Sequence, residues 1–474
     1  DPPLPLARLR VRGQLVEIRA EHLRFSVDEC AEFLNQIMGL DLSGEQIAAL
    51  EKRTEGWVAG LQLAALSLQG QIDPTGFISA FTGSHQYIVD YLIEEVLSRQ
   101  PEAVQTFLVQ TSILERLTGE LCDAVTGQSD SEANLKYLAQ ANLFLISLDD
   151  ERRWFRYHHL FADLLRNRLP LKAPELVRQL HQRAAAWYDG HQMATEAVEH
   201  AFSAQDYVEV KKLLRRHFPS WMRVENTMRI CHWFELFPRE FLHAEPWLCV
   251  VYAWMIWRLG KPDETGRCLQ VAQNALDRMQ AADQFPRDDP EYTSLQSEIY
   301  AFQGLIASQT DDPHGAETLA LKALSSAPES AWVVRAIAHM VLSLILRNRG
   351  ELSPARQACE AGLKEALLAG ETGTIVSLYQ NLGSIFLIQG HLSRAAEVYR
   401  QALAYAESNG QAHYPTYGLI RMRLADLCYL RNQLDEAEKW LKPGLERVDF
   451  GSYWWGMIYG RYLQGLIQSA RRQR

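Results

Sequence analysis

The 474-residue chain lacks the long apolar runs of a membrane protein. No stretch approaches the roughly 18 uninterrupted apolar residues that a span needs, and no basic-then-apolar signal segment opens it. A cytoplasmic address is the expectation. Cysteine is sparse: Cys30, Cys122, Cys231, Cys249, Cys268, Cys359 and Cys428 are odd in number and never form a CxxC pair. That pattern excludes a disulfide framework or a zinc ribbon as the organising device, and the seven read as reduced, buried small hydrophobes. Basic charge is also short. With 48 Lys and Arg against 58 Asp and Glu, the net charge is -10, which argues against a phosphate-binding surface spread over the chain. The one dense basic run, Arg471 to Arg474, reads as a solvated helix end. Missing too are the phosphate-loop pattern GxxxxGK[ST], the nucleophile elbow GxSxG, the HExxH helix and any Asp-rich metal loop. No catalytic residue and no metal site is therefore assigned, and the chain is not read as an enzyme.

What is present is helix signal. Ser26-Val-Asp-Glu29 and Ser43-Gly-Glu-Gln46 are capping boxes opening apolar series at Cys30, Phe33, Leu34 and Ile37 and at Ile47 and Leu50. The preceding Leu15-Val-Glu-Ile18 and Leu23-Arg-Phe25 alternate with period two and predict short extended pieces. Helices are expected around Val104 to Ile113, Leu121 to Val125 and Ser131 to Ala141. Phe144 to Leu148 and Trp154 to Tyr157 follow, flanking the polar turn Asp149 to Arg152 as a β-hairpin, with a helix directly after. Helices and then a hairpin predict a winged helix, a fold that by itself does not imply DNA binding. Leu180, Ala184, Trp187 and Tyr188, then Ala194, Ala197, Ala201 and Phe202, predict a helix hairpin.

A repeat dominates the second half. Leu382-Gly383, Phe386, Gly390, Ala395, Tyr399 and Ala402 are spaced as in a tetratricopeptide unit, where small residues sit at the crossing of two helices and large ones fill the neighbouring holes. Ala355, Ala395 and Ala437 recur at steps of 40 and 42 residues, longer than the ~34 of the plain repeat. Two earlier units carry Ala316, Ala320 and Ala323, and Tyr252, Gly260 and Ala272, so five units are expected. The fold class is thus mostly α: a helical domain, a winged helix, a helical arm and a superhelical solenoid.

Few residues stand out chemically. Trp254 with Trp257 and Trp454 with Trp455 either line a ligand groove or fill the core against small repeat positions. His158 and His159 sit where the hairpin ends and a helix begins, as structural histidines or as groups touching an anion. The 14 histidines show no carboxylate at ligand spacing along the chain.

Several segments together carry a family resemblance. Pro2 to Leu15, Thr54-Glu-Gly-Trp-Val-Ala-Gly-Leu-Gln-Leu63, Tyr91-Leu-Ile-Glu-Glu-Val-Leu97 and Phe155-Arg-Tyr-His-His-Leu-Phe161 resemble the MalT-like branch of the large LuxR-type regulators, signal-transduction ATPases with numerous domains. The resemblance covers residues 1 to about 245 by motif, and 246 to 474 only as a helical-repeat sensor. It implies five segments: the tail of a nucleotide-binding domain at 1–25, a small helical domain at 26–101, a winged helix at 102–170, an arm at 171–245 and a solenoid sensor at 246–474. The family's GxP element, whose proline packs near the adenine, falls on Gly56, Trp57 and Val58, with valine in place of the proline. The family histidine that reads the β-phosphate falls on His158, with His159 the alternate. ADP would lock the resting form, and an inducer on the solenoid, a small molecule or a protein, would with ATP allow self-association.

On this resemblance the Walker residues and the DNA-reading helices fall outside the chain, so the intact protein is expected to bind ATP or ADP and DNA while this chain alone holds no cofactor. The rival expectation is a free-standing tetratricopeptide adaptor that binds a protein without nucleotide. A repeat-containing enzyme has no constellation of residues behind it.

Overall fold

Side-chain capping fixes where the first helices begin. The computed structural model describes residues 6–14, 16, 20–69, 73–81, 86–141, 143–172, 174–221, 227–259, 261–282, 289–309, 312–409, 415–448 and 454–472. At Ser26 the hydroxyl accepts from the Glu29 amide, and the Glu29 carboxylate accepts from the Ser26 amide at 2.8 Å. Ser43 and Gln46 repeat the arrangement at 2.8 Å, so both predicted boxes satisfy orphan donors of a helix start. The chain divides into two compact units, Asp1–Leu214 and Arg215–Arg474.

In the first unit, α1 (Leu6–Val11) and a 3-10 turn (Ala20–Leu23) precede α2 (Val27–Ala31), which runs into a π-helical stretch (Glu32–Ile37). Next come α3 (Gly44–Thr54), α4 (Val58–Leu68), α5 (Pro74–Ala80) and α6 (Gln86–Tyr91), the last continuing into a second π-helical stretch, Leu92–Leu97. The extended reading of the preceding segment is corrected at Leu23, which closes the 3-10 turn; Leu15, Glu17 and Ile18 lie outside the described residues. Period-two alternation over three residues is too short to outweigh local turn formation.

The winged helix comprises α7 (Glu102–Thr111), α8 (Gly119–Thr126), α9 (Ser131–Gln140), β1 (Leu145–Ser147), β2 (Phe155–Tyr157) and α10 (His159–Lys172). The strands pair antiparallel, with Leu145 opposite Tyr157 and Ser147 opposite Phe155. Asp149 caps the turn between them by accepting from the Arg153 and Trp154 amides at 2.8 and 3.1 Å. Buried Tyr157 anchors the strand to α7 through a 2.7 Å hydroxyl contact with Thr111.

An arm follows as α11 (Pro174–Gly190) and α12 (Ala194–Ser203), and α13 (Tyr207–Trp221) carries the chain across the division. Between α11 and α12, His181 Nδ1 lies 2.8 Å from His200 Nδ1, and the Tyr188 ring stacks on His200 at 5.3 Å. Such a bond needs one nitrogen to donate and the other to accept, which two imidazolium ions cannot do. Burial lowers His181 from 6.5 to about 4, and burial together with the neighbouring His181 lowers His200 to about 3. Both groups are depressed, so the unfolded chain takes up protons first as pH falls. Their contribution is complete above pH 6.5 and is lost toward the folded values. The unfolding midpoint is expected to be flat above pH 6.5 and to drop several degrees by about pH 4. Thermal melts of His181→Gln with His200→Gln should show a shallower drop; an unchanged slope would remove the pair from the acid response.

In the second unit α14 (Thr227–Leu236) and α15 (Arg239–Ala244) precede paired helices. The pairs are α16 (Pro246–Arg258) with α17 (Pro262–Ala281), α18 (Pro290–Ala307) with α19 (Pro313–Ser326), and α20 (Trp332–Asn348) with α21 (Leu352–Ala369). Two more follow, α22 (Thr372–Ile388) with α23 (Leu392–Ser408) and α24 (Pro415–Leu430) with α25 (Leu434–Val448), before α26 (Trp454–Arg472). First helices also pack on first helices, α18 on α20, α20 on α22 and α22 on α24, which builds the solenoid.

Each turn inside the last three pairs has one left-handed residue, Gly350, Gly390 or Asn432, with φ of 83°, 78° and 59°. The following amide reaches back to the helix: Glu351 to the Leu346 carbonyl, His391 to Phe386 and Gln433 to Cys428, at 2.8 to 2.9 Å. This six-to-one bond is the Schellman closure, for which glycine and asparagine carry the least steric cost. The turn therefore repeats with the same 40- and 42-residue steps as the alanines.

Ala316, Ala320, Ala323, Ala355, Ala395, Ala402 and Ala437 are all fully buried at helix crossings. Trp254 packs edge-on against Phe302 at 4.3 Å and Trp257 against the same core, so the core reading holds for that pair. The side chains of Trp454 and Trp455 lie outside the described residues. Five cysteines are buried, but Cys268 and Cys428 are only half-buried. Among the described residues no helix is long and apolar enough to cross a membrane.

Candidate functional site

The turn after α3 brings the predicted residues together. Glu55 and Gly56 both adopt left-handed backbone, with φ of 51° and 69°, which reverses the chain so that the Trp57 amide bonds the Thr54 carbonyl at 2.9 Å. The Gly56 carbonyl accepts from the Phe25 amide at 2.9 Å. A Cβ at Gly56 would stand 2.4 Å from the Phe25 carbonyl oxygen, so both the φ and the close approach require glycine. Trp57 then caps α4, which starts at Val58. Its ring meets Phe144 edge-on at 5.0 Å, His158 at 6.0 Å and Tyr91 at 5.8 Å.

His158 is buried at the junction of β2 and α10, its amide bonded to the Phe144 carbonyl at 2.8 Å. Its Nε2 lies 2.9 Å from the Thr54 carbonyl, which is fed also by Trp57. A carbonyl only accepts, so Nε2 carries the proton and Nδ1 presents a lone pair. That Nδ1 is buried without a hydrogen-bond partner. Burial pushes the imidazole down from 6.5 to about 4, outweighing the upward pull of Glu55.

Beside it Glu55, only 13% exposed, forms a hub. Arg156 Nη1 and Nη2 donate to its two oxygens at 2.8 and 3.0 Å, His159 Nδ1 donates to Oε1 at 2.7 Å, and Arg24 stands 3.8 Å away. Burial alone would raise this carboxyl, yet the His159 and Arg156 bonds hold it well below the ordinary 4.5. The two histidine rings stack at 4.9 Å.

The structure therefore joins His158, His159, Gly56 and Trp57 in one place, with Val58 at the start of the adjoining helix. Sequence reading missed Glu55, Arg156 and Thr54. It also found no carboxylate near the histidines, which the fold corrects by bringing Glu55 in from about a hundred positions away. Glu55, His158 and His159 offer ligand atoms within 4.8 Å of one another. Both Glu55 oxygens already accept from Arg156, and a guanidinium beside the carboxylate suits an ion-pair hub better than a second cation.

A winged helix that meets a helical domain through a buried histidine, in a chain that also carries a tetratricopeptide-like solenoid, is a multidomain, mostly helical architecture with a repeat-built second half. The comparisons make this specific. Residues 93–177 match the MalT winged helix domain and residues 297–449 the MalT-like TPR region. The HTH-type transcriptional regulator MalT of Vibrio cholerae is 28% identical over 94% of the chain, which spans 49% of that relative. The serine/threonine-protein kinase PknK of Mycobacterium tuberculosis is 34% identical over 58% of the chain and 25% of its own length. A STAND protein with a tetratricopeptide repeat sensor from Pyrococcus horikoshii shares the fold, with a TM-score of 0.54 at 14% identity over 95% of this chain and 61% of that one. The chain thus carries two regions of the MalT-like regulators, a winged helix and a TPR region. It spans about half the length of the MalT relatives.

Proposed function

We propose that this chain is the regulatory and effector-sensing portion of an ATP-dependent LuxR-type transcriptional activator, held by ADP at rest and assembling on inducer with ATP. In this reading residues 1–25 end a nucleotide-binding domain, 26–101 form the small helical domain, 102–170 the winged helix, 171–245 the arm and 246–474 the sensor. ATP or ADP and DNA are handled by parts of the intact protein outside this chain. The observation that carries the reading is His158, buried and neutral with an unpartnered Nδ1 beside the Gly56-Trp57-Val58 turn. A phosphate arriving at Nδ1 would meet a lone pair. Contact therefore requires His158 to gain a proton or to give up its bond to Thr54, and either change couples nucleotide to the docking of winged helix and helical domain.

The coding DNA on either side of the chain tests the reading. An in-frame phosphate-binding loop upstream and a helix-turn-helix downstream support it. Stop codons on both sides favour the tetratricopeptide adaptor, for which the solenoid itself is the supporting feature. In a protein that includes the nucleotide-binding domain, His158→Ala is expected to weaken ADP retention about tenfold, the loss of one charge-assisted hydrogen bond, and to raise basal transcription. Unchanged ADP release rates, measured by dialysis of labelled nucleotide, would remove the phosphate role.

A further inference from the structure

His158 has one ring nitrogen committed and one open. Nε2 lies 2.9 Å from the Thr54 carbonyl, which only accepts, so this nitrogen must keep its hydrogen. The buried Nδ1 has no partner. A phosphate oxygen at neutral pH is an acceptor as well, and acceptors at both nitrogens are satisfied together only by a doubly protonated ring. The alternative is release of Thr54, and the packing opposes it. The ring centre lies 6.0 Å from that of Trp57, 5.9 Å from Phe144 and 4.9 Å from the stacked His159, while the His158 amide is tied to the Phe144 carbonyl at 2.8 Å.

The surroundings accept a cation once an anion is supplied, and not before. Burial pushes the ring down; Glu55, from the turn after α3, and the Thr54 carbonyl pull it up; His159 of α10 and Arg156 of β2 push it down again, which leaves it at about 4. Arg24 stands 3.8 Å from Glu55 and offsets part of that carboxylate. At pH 7 the ring is therefore neutral on its own. Thr54 closes the 11-residue helix α3, whose C-terminal end carries partial negative charge and favours an imidazolium. A phosphate beside Nδ1 adds to this, because a close opposite charge raises a histidine by roughly 1–3 pH units.

Resting on the reading of His158 as the phosphate contact, we propose that nucleotide binding takes up one proton from solvent at His158 Nδ1, so that the imidazolium bridges the Thr54 carbonyl and a phosphate oxygen of a nucleoside diphosphate. Nε2 keeps its own hydrogen throughout. Winged helix and helical domain are then joined through a charge that exists only with ligand bound, which makes the latch sensitive to pH as well as to nucleotide. The free ring is neutral and the bound ring charged, so the bound state holds one more proton and affinity falls as pH rises.

In a protein that includes the nucleotide-binding domain, calorimetric titration with ADP at pH 6, in two buffers of different ionisation heat, counts the protons taken up. Phosphate titrates in the same range, so the reference is His158→Asn, which offers a neutral amide donor in place of Nδ1. The unsubstituted protein is expected to take up about one proton more than His158→Asn. Between pH 6 and 8 its ADP dissociation constant should rise, relative to the variant, by as much as about tenfold per pH unit until the bound imidazolium itself loses its proton. Equal uptake by the two proteins, with ADP still held less well by His158→Ala, overturns the proton coupling and leaves the phosphate contact standing with Thr54 released. If His158→Ala retains ADP as well as the unsubstituted protein does, the phosphate role and the coupling fall together.

Discussion

Gly383→Ala is expected to destabilise the solenoid by about 2–3 kcal/mol, near the top of the range for overpacking a core. A Cβ on Gly383 would lie 2.3 Å from Cε1 of Tyr399 and 2.7 Å from two further ring carbons. Tyr399 has no room to retreat: it is fully buried, in a pair whose other crossing residues, Ala395 and Ala402, are small and fully buried as well. Either the ring is expelled with its burial lost, or α22 and α23 separate. Solenoid stability is a sum of pair and neighbour contributions, so the loss should appear locally. The pairs from α22 onward should melt in a separate, earlier transition, detectable by hydrogen exchange. Tyr399→Leu in the Gly383→Ala background should restore part of the loss by removing the ring that clashes, giving a non-additive cycle. Additive effects of the two changes would mean that the ring and the glycine are energetically independent despite their contact.

Much of this molecule was legible before its fold, and what was not had a common cause. The capping boxes at Ser26 and Ser43 are local signals with a local mechanism, so they appear as expected. The repeat was legible because each pair buries its own small residues at a fixed spacing. Its turns add a second marker at the same step, since Gly350, Gly390 and Asn432 all occupy left-handed backbone. By contrast, the partners of the His158-His159 pair are not written near it. Thr54 and Glu55 lie at the end of a helix in another part of the unit, and only the left-handed turn at Glu55 and Gly56 aims them at the histidines. A signal did exist: Glu55-Gly56 directly after a helix ending in Lys52-Arg53-Thr54 is a C-terminal stop. What it could not reveal was which strand would meet that stop.

Glu55→Ala should have the largest effect in the first unit, lowering its stability by about 3 kcal/mol. A hydrogen bond to a charged group contributes roughly 1.5–3 kcal/mol when its partner is then left unsatisfied, and Glu55 accepts three such bonds from Arg156 and His159. The full sum is not expected, because the Arg156 side chain is 33% exposed and water replaces part of what it loses. Glu55→Gln should be nearly as damaging: it keeps the shape but presents an amide that cannot accept from both donors with a full negative charge.

The carboxyl is held below its ordinary 4.5, so its contribution is present above that pH and disappears only as the medium becomes strongly acidic. In the wild-type chain, therefore, acid loss from the histidines begins below pH 6.5 and the loss from Glu55 comes later. In Glu55→Ala the second phase should vanish while the first remains. Urea unfolding followed across this range separates the two phases. If Glu55→Ala costs less than about 0.5 kcal/mol, the hub is an ordinary surface ion pair. The docking of winged helix on helical domain would then rest on His158 and its aromatic neighbours alone.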